Sequence, residues 1–142
     1  MAVAASVRLI DALRAVTEAL LEALDADAAA ISRVLGDALV LVAQSVPAGR
    51  TLQLGGGYLV SEFPETAAVL RGGRPRTASV DDVHSDPDET RLLRVLGFGS
   101  LLMLPLELRG ERWGLVEVYR EEPRAFGPVE IRAAAAILAD LA

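Results

Sequence analysis

The stretch SLLMLPLELRGERWGLVEVY, Ser100 to Tyr119, decides how the chain is read. Two apolar runs flank Arg109-Gly110, a pair suited to a two-residue hairpin turn. With that turn, Leu106 faces Trp113, Leu104 faces Leu115 and Leu102 faces Glu117, all on one sheet face with Tyr119. The opposite face then carries Leu101, Met103, Pro105, Gly114, Val116 and Val118. Both faces are apolar, so both are expected to be covered. The Gly114 face is flat and suits long helices. The Trp113 face is bulkier and holds a carboxylate, Glu117. An unpaired buried carboxylate is strongly unfavourable. Glu117 is therefore expected to have an Arg or backbone partner, to reach water at a strand end, or to line a polar cavity.

Working outward, Val3, Val7, Ile10, Leu13, Leu20, Leu21 and Leu24 recur at three- and four-residue steps, which predicts a long amphipathic helix over 3–24. Asp25 and Asp27 end it. Two β-like runs, Ala28 to Val34 and Ala38 to Val46, flank Gly36-Asp37 and predict a hairpin. A Gly-rich loop closes with Gly55-Gly56-Gly57. It is no phosphate loop, because the strand-loop-helix spacing and the lysine are missing. Pro64 opens a short helix that Gly72-Gly73 stop, and a strand follows at Arg76 to Val80. Asp86-Pro87-Asp88-Glu89 then reads as cap, proline and acids at a helix start. After the hairpin, Gly127-Pro128-Val129-Glu130 begins a last helix over 128–142. The expectation is one α+β domain over 1–142, with a core at 26–121, a mainly antiparallel sheet, the terminal helices on one face and short helices and loops on the other.

The charge of −6 argues against nucleic acid as a partner. All 14 basic residues are Arg, so no catalytic or phosphate-binding lysine exists. With Cys at zero, thiolate metal sites, a cysteine nucleophile and a thioether-linked chromophore are excluded. No signal peptide and no membrane-length apolar run stand out, which suggests a cytoplasmic chain without a membrane partner. The run Asp81-Asp82-His84-Asp86-Asp88-Glu89 has the wrong spacing for a calcium loop and reads as a solvated turn, so no metal site is expected. His84, the single histidine, leaves no convincing catalytic triad, and no enzyme activity is expected.

FPETAAVLRGGRPRTASVDD (Phe63 to Asp82), the hairpin Ser100 to Arg120 and RAFGPVEIRAAAAILADLA (Arg124 to Ala142) together resemble a GAF domain of bacterial signalling proteins. The resemblance runs from about Val7 to Leu141. It implies a profilin-like, PAS-related fold with a small-molecule pocket on the side away from the terminal helices, and a sensory or regulatory role. Covalent bilin attachment needs a cysteine that is absent. The lysine-containing cyclic-nucleotide signature cannot be assembled, and haem would rest on His84, which reads as an exposed loop residue; the ligand stays unassigned. The pocket candidates are Tyr58, Phe63, Leu102, Trp113, Glu117 and Tyr119, with Gly55 to Glu65 as a lid. The expected partners are a second copy, through Val7, Leu13, Leu20, Ile131 and Leu138, and an output domain in a longer protein or in trans. The competing expectation is a dimerisation module of the same fold with no ligand.

Overall fold

The computed structural model describes residues 2–47 and 58–141, with side chains described for 8–47 and 59–141. Helix α1 (Ala2–Leu24) leads into strands β1 (Ala28–Leu35) and β2 (Ala38–Ser45). A two-residue strand β3 (Tyr58–Leu59) and a 3-10 turn (Val60–Glu62) precede α2 (Pro64–Gly72), β4 (Arg76–Ser79) and α3 (Pro87–Leu96). The hairpin β5 (Ser100–Leu108) and β6 (Glu111–Arg120) and helix α4 (Pro128–Ala139) complete the chain. Every strand pairing is antiparallel, in the order β3-β2-β1-β6-β5-β4.

The local signals act as read. Proline occupies the first turn of α2, α3 and α4, and Gly73 and Gly97 end α2 and α3 in the left-handed conformation. The Asp86 carboxylate accepts the Glu89 N–H at 3.2 Å and caps α3. Arg109 and Gly110 both have positive φ, 53° and 78°, as a primed two-residue turn requires.

The hairpin register differs from expectation beyond its first pairs. Glu107 faces Arg112, but Leu106 faces Gly114, so Trp113 is an extra residue in a β-bulge. Past the bulge Leu104 faces Val116, Leu102 faces Val118 and Met103 faces Glu117. Leu102, Leu104 and Leu106 therefore join Gly114, Val116 and Val118 on the α1/α4 face, while Leu101 and Met103 join Leu115, Glu117 and Tyr119 on the α2/α3 face. One extra residue moved half of the expected set to the other side.

The first of the two apolar clusters lies under α1 and α4 and contains Leu13, Leu20, Leu24, Ile31, Leu102, Leu104, Val116, Val118 and Leu138. The second lies under α2 and α3 and contains Ala30, Leu39, Val69, Leu93, Phe98, Met103, Leu115 and Tyr119. Gly114 is required by a neighbouring strand and not by a helix: a Cβ there would lie 2.2 Å from the Ser32 carbonyl oxygen of β1.

Arg120, the last residue of β6, is 1% exposed and fastens the ends of three elements. Its guanidinium donates to Leu24 O at 2.5 Å and Asp25 O at 3.3 Å at the end of α1. It also donates to Arg124 O at 3.1 Å, and to a carboxylate oxygen of Glu130 in the first turn of α4. Its carbon Cζ sits 4.0 Å from the Phe126 ring centroid. The other Glu130 oxygen accepts the Gly127 N–H at 2.9 Å. Burial pushes the Glu130 carboxyl up, but the Gly127 N–H and the Arg120 guanidinium outweigh it and hold it below its ordinary value.

Two outcomes follow from these contacts. Gly114→Ala forces β1 and β6 apart and lowers the stability by about 1–3 kcal/mol in urea titration. Arg120→Met strands buried carbonyls and lowers it by about 3 kcal/mol, with amide exchange rising together at the end of α1 and the start of α4. Because the Glu130 value is depressed in the fold, its contribution is full above the unfolded glutamate range and fades as pH falls through the folded value. Arg120→Met accordingly flattens the acid limb of the stability curve.

Candidate functional site

The face beneath α2 and α3 is not uniformly apolar. Glu117 and Glu89 are each 2% exposed there, with Thr66 at 1% and Tyr119 at 1%. Three elements supply them. β6 aims Glu117 and Tyr119 at the same side because they are two residues apart in a strand. α2 supplies Thr66, in its first turn two residues after Pro64. α3 supplies Glu89, whose position is fixed by the Asp86 cap and by Leu93 four residues on, 1% exposed on the same stripe.

The Tyr119 hydroxyl donates to Glu117 Oε2 at 2.6 Å, a buried bond that gives the carboxyl group in the strand a partner. The Tyr119 ring packs on Phe98 with centroids 5.0 Å apart. The Thr66 hydroxyl lies 3.3 Å from Glu89 Oε1 and 3.6 Å from Met103 Sδ, and Met103 is the strand partner of Glu117. These side chains thus make a seam of two polar pairs, Tyr119–Glu117 and Thr66–Glu89, bridged by Met103 inside the second apolar cluster. Burial is the main force on Glu89 and pushes its carboxyl up to about 7. Glu117 adds to the rise, the Thr66 hydroxyl opposes it, and Asp86 and Glu65 add smaller contributions. Near neutral pH the seam holds an exchangeable proton on Glu89 and acceptor oxygens suited to N–H or O–H donors.

Of the expected pocket residues, Glu117 and Tyr119 meet in this seam. Phe63 lies at the start of α2 and lines a surface cleft with Leu92 and Val95 of α3. Leu102 and Trp113 lie on the opposite side of the sheet: Leu102 is in the cluster under α1 and α4, and Trp113 packs against that cluster with Arg33 Cζ 5.4 Å from its ring. The bulge at Trp113 is the reason. Tyr58 pairs with Leu39 of β2 through its backbone in β3, but its side chain lies outside the described residues, as do Gly55-Gly56-Gly57 and the first part of the expected lid.

The expected interface also changes. Leu13 and Leu20 are 0% exposed and Leu138 is 7% exposed, all within the cluster beneath the terminal helices, so they are spent on the domain's own core. Ile131 packs partly buried against the same cluster, and the Val7 side chain lies outside the described residues. Reading Asp81 to Glu89 as a solvated turn holds for the exposed Asp81, Asp82, His84 and Asp88 and fails for Glu89. Glu89 sits at helical spacing from Leu93 and Leu96, and that spacing was the available signal. Thr66 and Arg120 carried no such signal. Among the described residues no group of three or more His, Cys, Asp or Glu side chains could hold a metal ion.

The GAF domain profile matches residues 8–142. The chain belongs to the GAF family. No curated protein sequence matches it. Among solved structures, it is similar to the phycoerythrobilin-bound GAF domain of a cyanobacterial phytochrome, with 22% identity and a TM-score of 0.79 over 96% of this chain and 84% of that one. It is also similar to the blue-light-absorbing form of the Thermosynechococcus elongatus PixJ GAF domain, with 18% identity and a TM-score of 0.73 over 94% of this chain and 82% of that one. A third likeness is to the chromophore-binding domain of the bacteriophytochrome RpBphP3 from R. palustris, with 12% identity and a TM-score of 0.76 over 98% of this chain and 58% of that one. At these identities the likeness is one of fold. Among the described residues of this GAF domain, no helix is long and apolar enough to cross a membrane.

Tyr119→Phe removes the hydroxyl from a buried carboxylate while keeping the ring. It lowers the stability by about 1–3 kcal/mol, and urea titration beside the parent chain measures this.

Proposed function

We propose that this GAF domain is a sensory or regulatory module that binds a small molecule on the α2/α3 side of its sheet and signals through its terminal helices. The buried seam of Glu89, Glu117, Thr66 and Tyr119 carries this reading. Burying two carboxylates is unfavourable, and a module that only dimerised through α1 and α4 would gain nothing from them. The seam offers acceptors to a ligand with N–H or O–H donors. The bilin-bound neighbours lend support by analogy of fold, while the lack of cysteine leaves this chain only non-covalent chromophore binding.

Signal passes out through Arg120 in this reading. Tyr119 and Arg120 are consecutive, one in the seam and the other fastened to α1 and α4, so a shift of β6 reaches both terminal helices. The output domain is a further part of a longer protein or a separate chain in the cytoplasm. A second copy docks on the outer surfaces of α1 and α4, where Ile10 and Val129 are exposed. The domain itself is not an enzyme.

A second reading, a dimerisation module without ligand, draws on the sealing of the seam, whose carboxylates are nearly inaccessible to solvent. Native mass spectrometry on protein purified without added ligand separates the two. A dimer carrying a defined extra mass, lost in Glu117→Leu, is the expected result; a dimer without adduct that also binds nothing from a metabolite panel favours the second reading.

A further inference from the structure

α3 is held to the domain by a short buried face. Glu89, Thr90 and Leu93 are its buried residues, at 2%, 8% and 1% exposure, while Arg91, Arg94 and Val95 face outward. One of its three buried side chains is therefore a carboxyl group, with Leu96 packed partly buried on the same cluster. The helix cannot seat on the sheet without carrying that group into the interior, next to Glu117 on β6. A second carboxylate as neighbour makes the ionised form of Glu89 unfavourable in the seated position.

The described groups around Glu89 sharpen the point. β6 presents Glu117 and Tyr119, β5 presents Met103, α2 presents Thr66 with Glu65, and the start of α3 itself adds Asp86. The charged groups that act on Glu89 from these elements are all acids. Arg91 pairs with Asp88 on the exposed side, and Arg76 is engaged by Glu65. The only direct donor to Glu89 among these groups is the Thr66 hydroxyl, at 3.3 Å.

We propose that the seating of α3 is proton-linked: Glu89 enters the interior as a neutral acid beside Glu117, and loss of its proton to solvent releases the helix from the sheet. The domain then responds to pH across the neutral range, through a helix that covers the same seam that would face a ligand. The inference stands apart from the small-molecule reading, and a chain that binds no ligand leaves it intact.

The sign follows from the raised value of Glu89. A seated Glu89 titrates at about 7 and a released one at the ordinary 4.5. The seated state holds the extra proton between those values, so seating weakens as pH rises through that window and levels off above it. Between about pH 5.5 and about pH 8 this linkage raises the opening constant of α3 about thirtyfold.

Hydrogen exchange on the whole chain, with amides of residues 88–96 corrected for the intrinsic pH dependence of exchange, reads that constant directly. The expected result is the thirtyfold rise in the parent chain, a flat profile in Glu89→Gln and a reduced rise in Glu117→Gln. His84→Gln, in the turn before α3, keeps the parent profile. A flat parent profile overturns the proposal, as does a rise that persists in Glu89→Gln or disappears in His84→Gln. If Glu89→Gln does not fold, the infrared carbonyl band of a protonated carboxylic acid serves on the parent chain. That band present at about pH 5.5 and lost by about pH 8 supports the proposal, and its absence at both overturns it.

Discussion

The Arg120 guanidinium is the interaction on which the arrangement depends. A buried arginine must find acceptors, and here they are the last carbonyls of α1, the carbonyls after β6 and a carboxylate in the first turn of α4. The carbonyls at a helix C-terminus lack intrahelical partners, so a cation there is favourable. The carboxylate at the N-terminus of α4 is favourable for the converse reason. One side chain thereby fixes where both terminal helices meet the sheet. The apolar cluster beneath them, from Leu13 and Leu20 to Val116 and Leu138, fills the space that this geometry leaves.

β6 is the strand that both sides of the domain share. Its even-numbered residues from Gly114 to Arg120 serve the terminal helices, and Leu115, Glu117 and Tyr119 serve the other side. The two faces respond to protons with opposite sign. The depressed Glu130 carboxyl strengthens the fold as pH rises out of the acid range, whereas the raised Glu89 carboxyl weakens it as pH rises toward neutrality. The contributions of these two groups are therefore jointly greatest near the ordinary glutamate value of 4.5. On the α2/α3 side the loss runs from there up to about 7, so the seam responds as pH approaches neutrality.

Much of the fold was legible because local chemistry set it. Proline at the first helical positions, Asp86 as a cap, glycines at the ends of α2 and α3, and Arg109-Gly110 at the hairpin turn each act within a few residues. The sheet register was not legible. Trp113 gives no sequence sign of being an extra residue, and the bulge becomes definite only when Gly114 is pressed against the Ser32 carbonyl of β1. Leu102 changed sides as a consequence. The site was half legible: Glu117 stood out as a charge among apolar neighbours, while Glu89 was hidden in an acidic run in which every neighbouring acid is either exposed or a cap.

The sequence by itself determined the element order, the caps and turns, the aliphatic two-sided core, the exclusion of cysteine and lysine chemistry and the membership of the GAF family. Those depend on residue type and on spacing along the chain. Only the tertiary structure decided that Glu89 and Glu117 share one buried seam, and that Arg120 joins α1 to α4. It also decided that Leu13 and Leu20 belong to the core and not to an outer surface. The physical reason is the same in each case. Burial and electrostatic coupling are set by distance in space, and residues 28 or 96 positions apart acquire that distance only when the sheet closes.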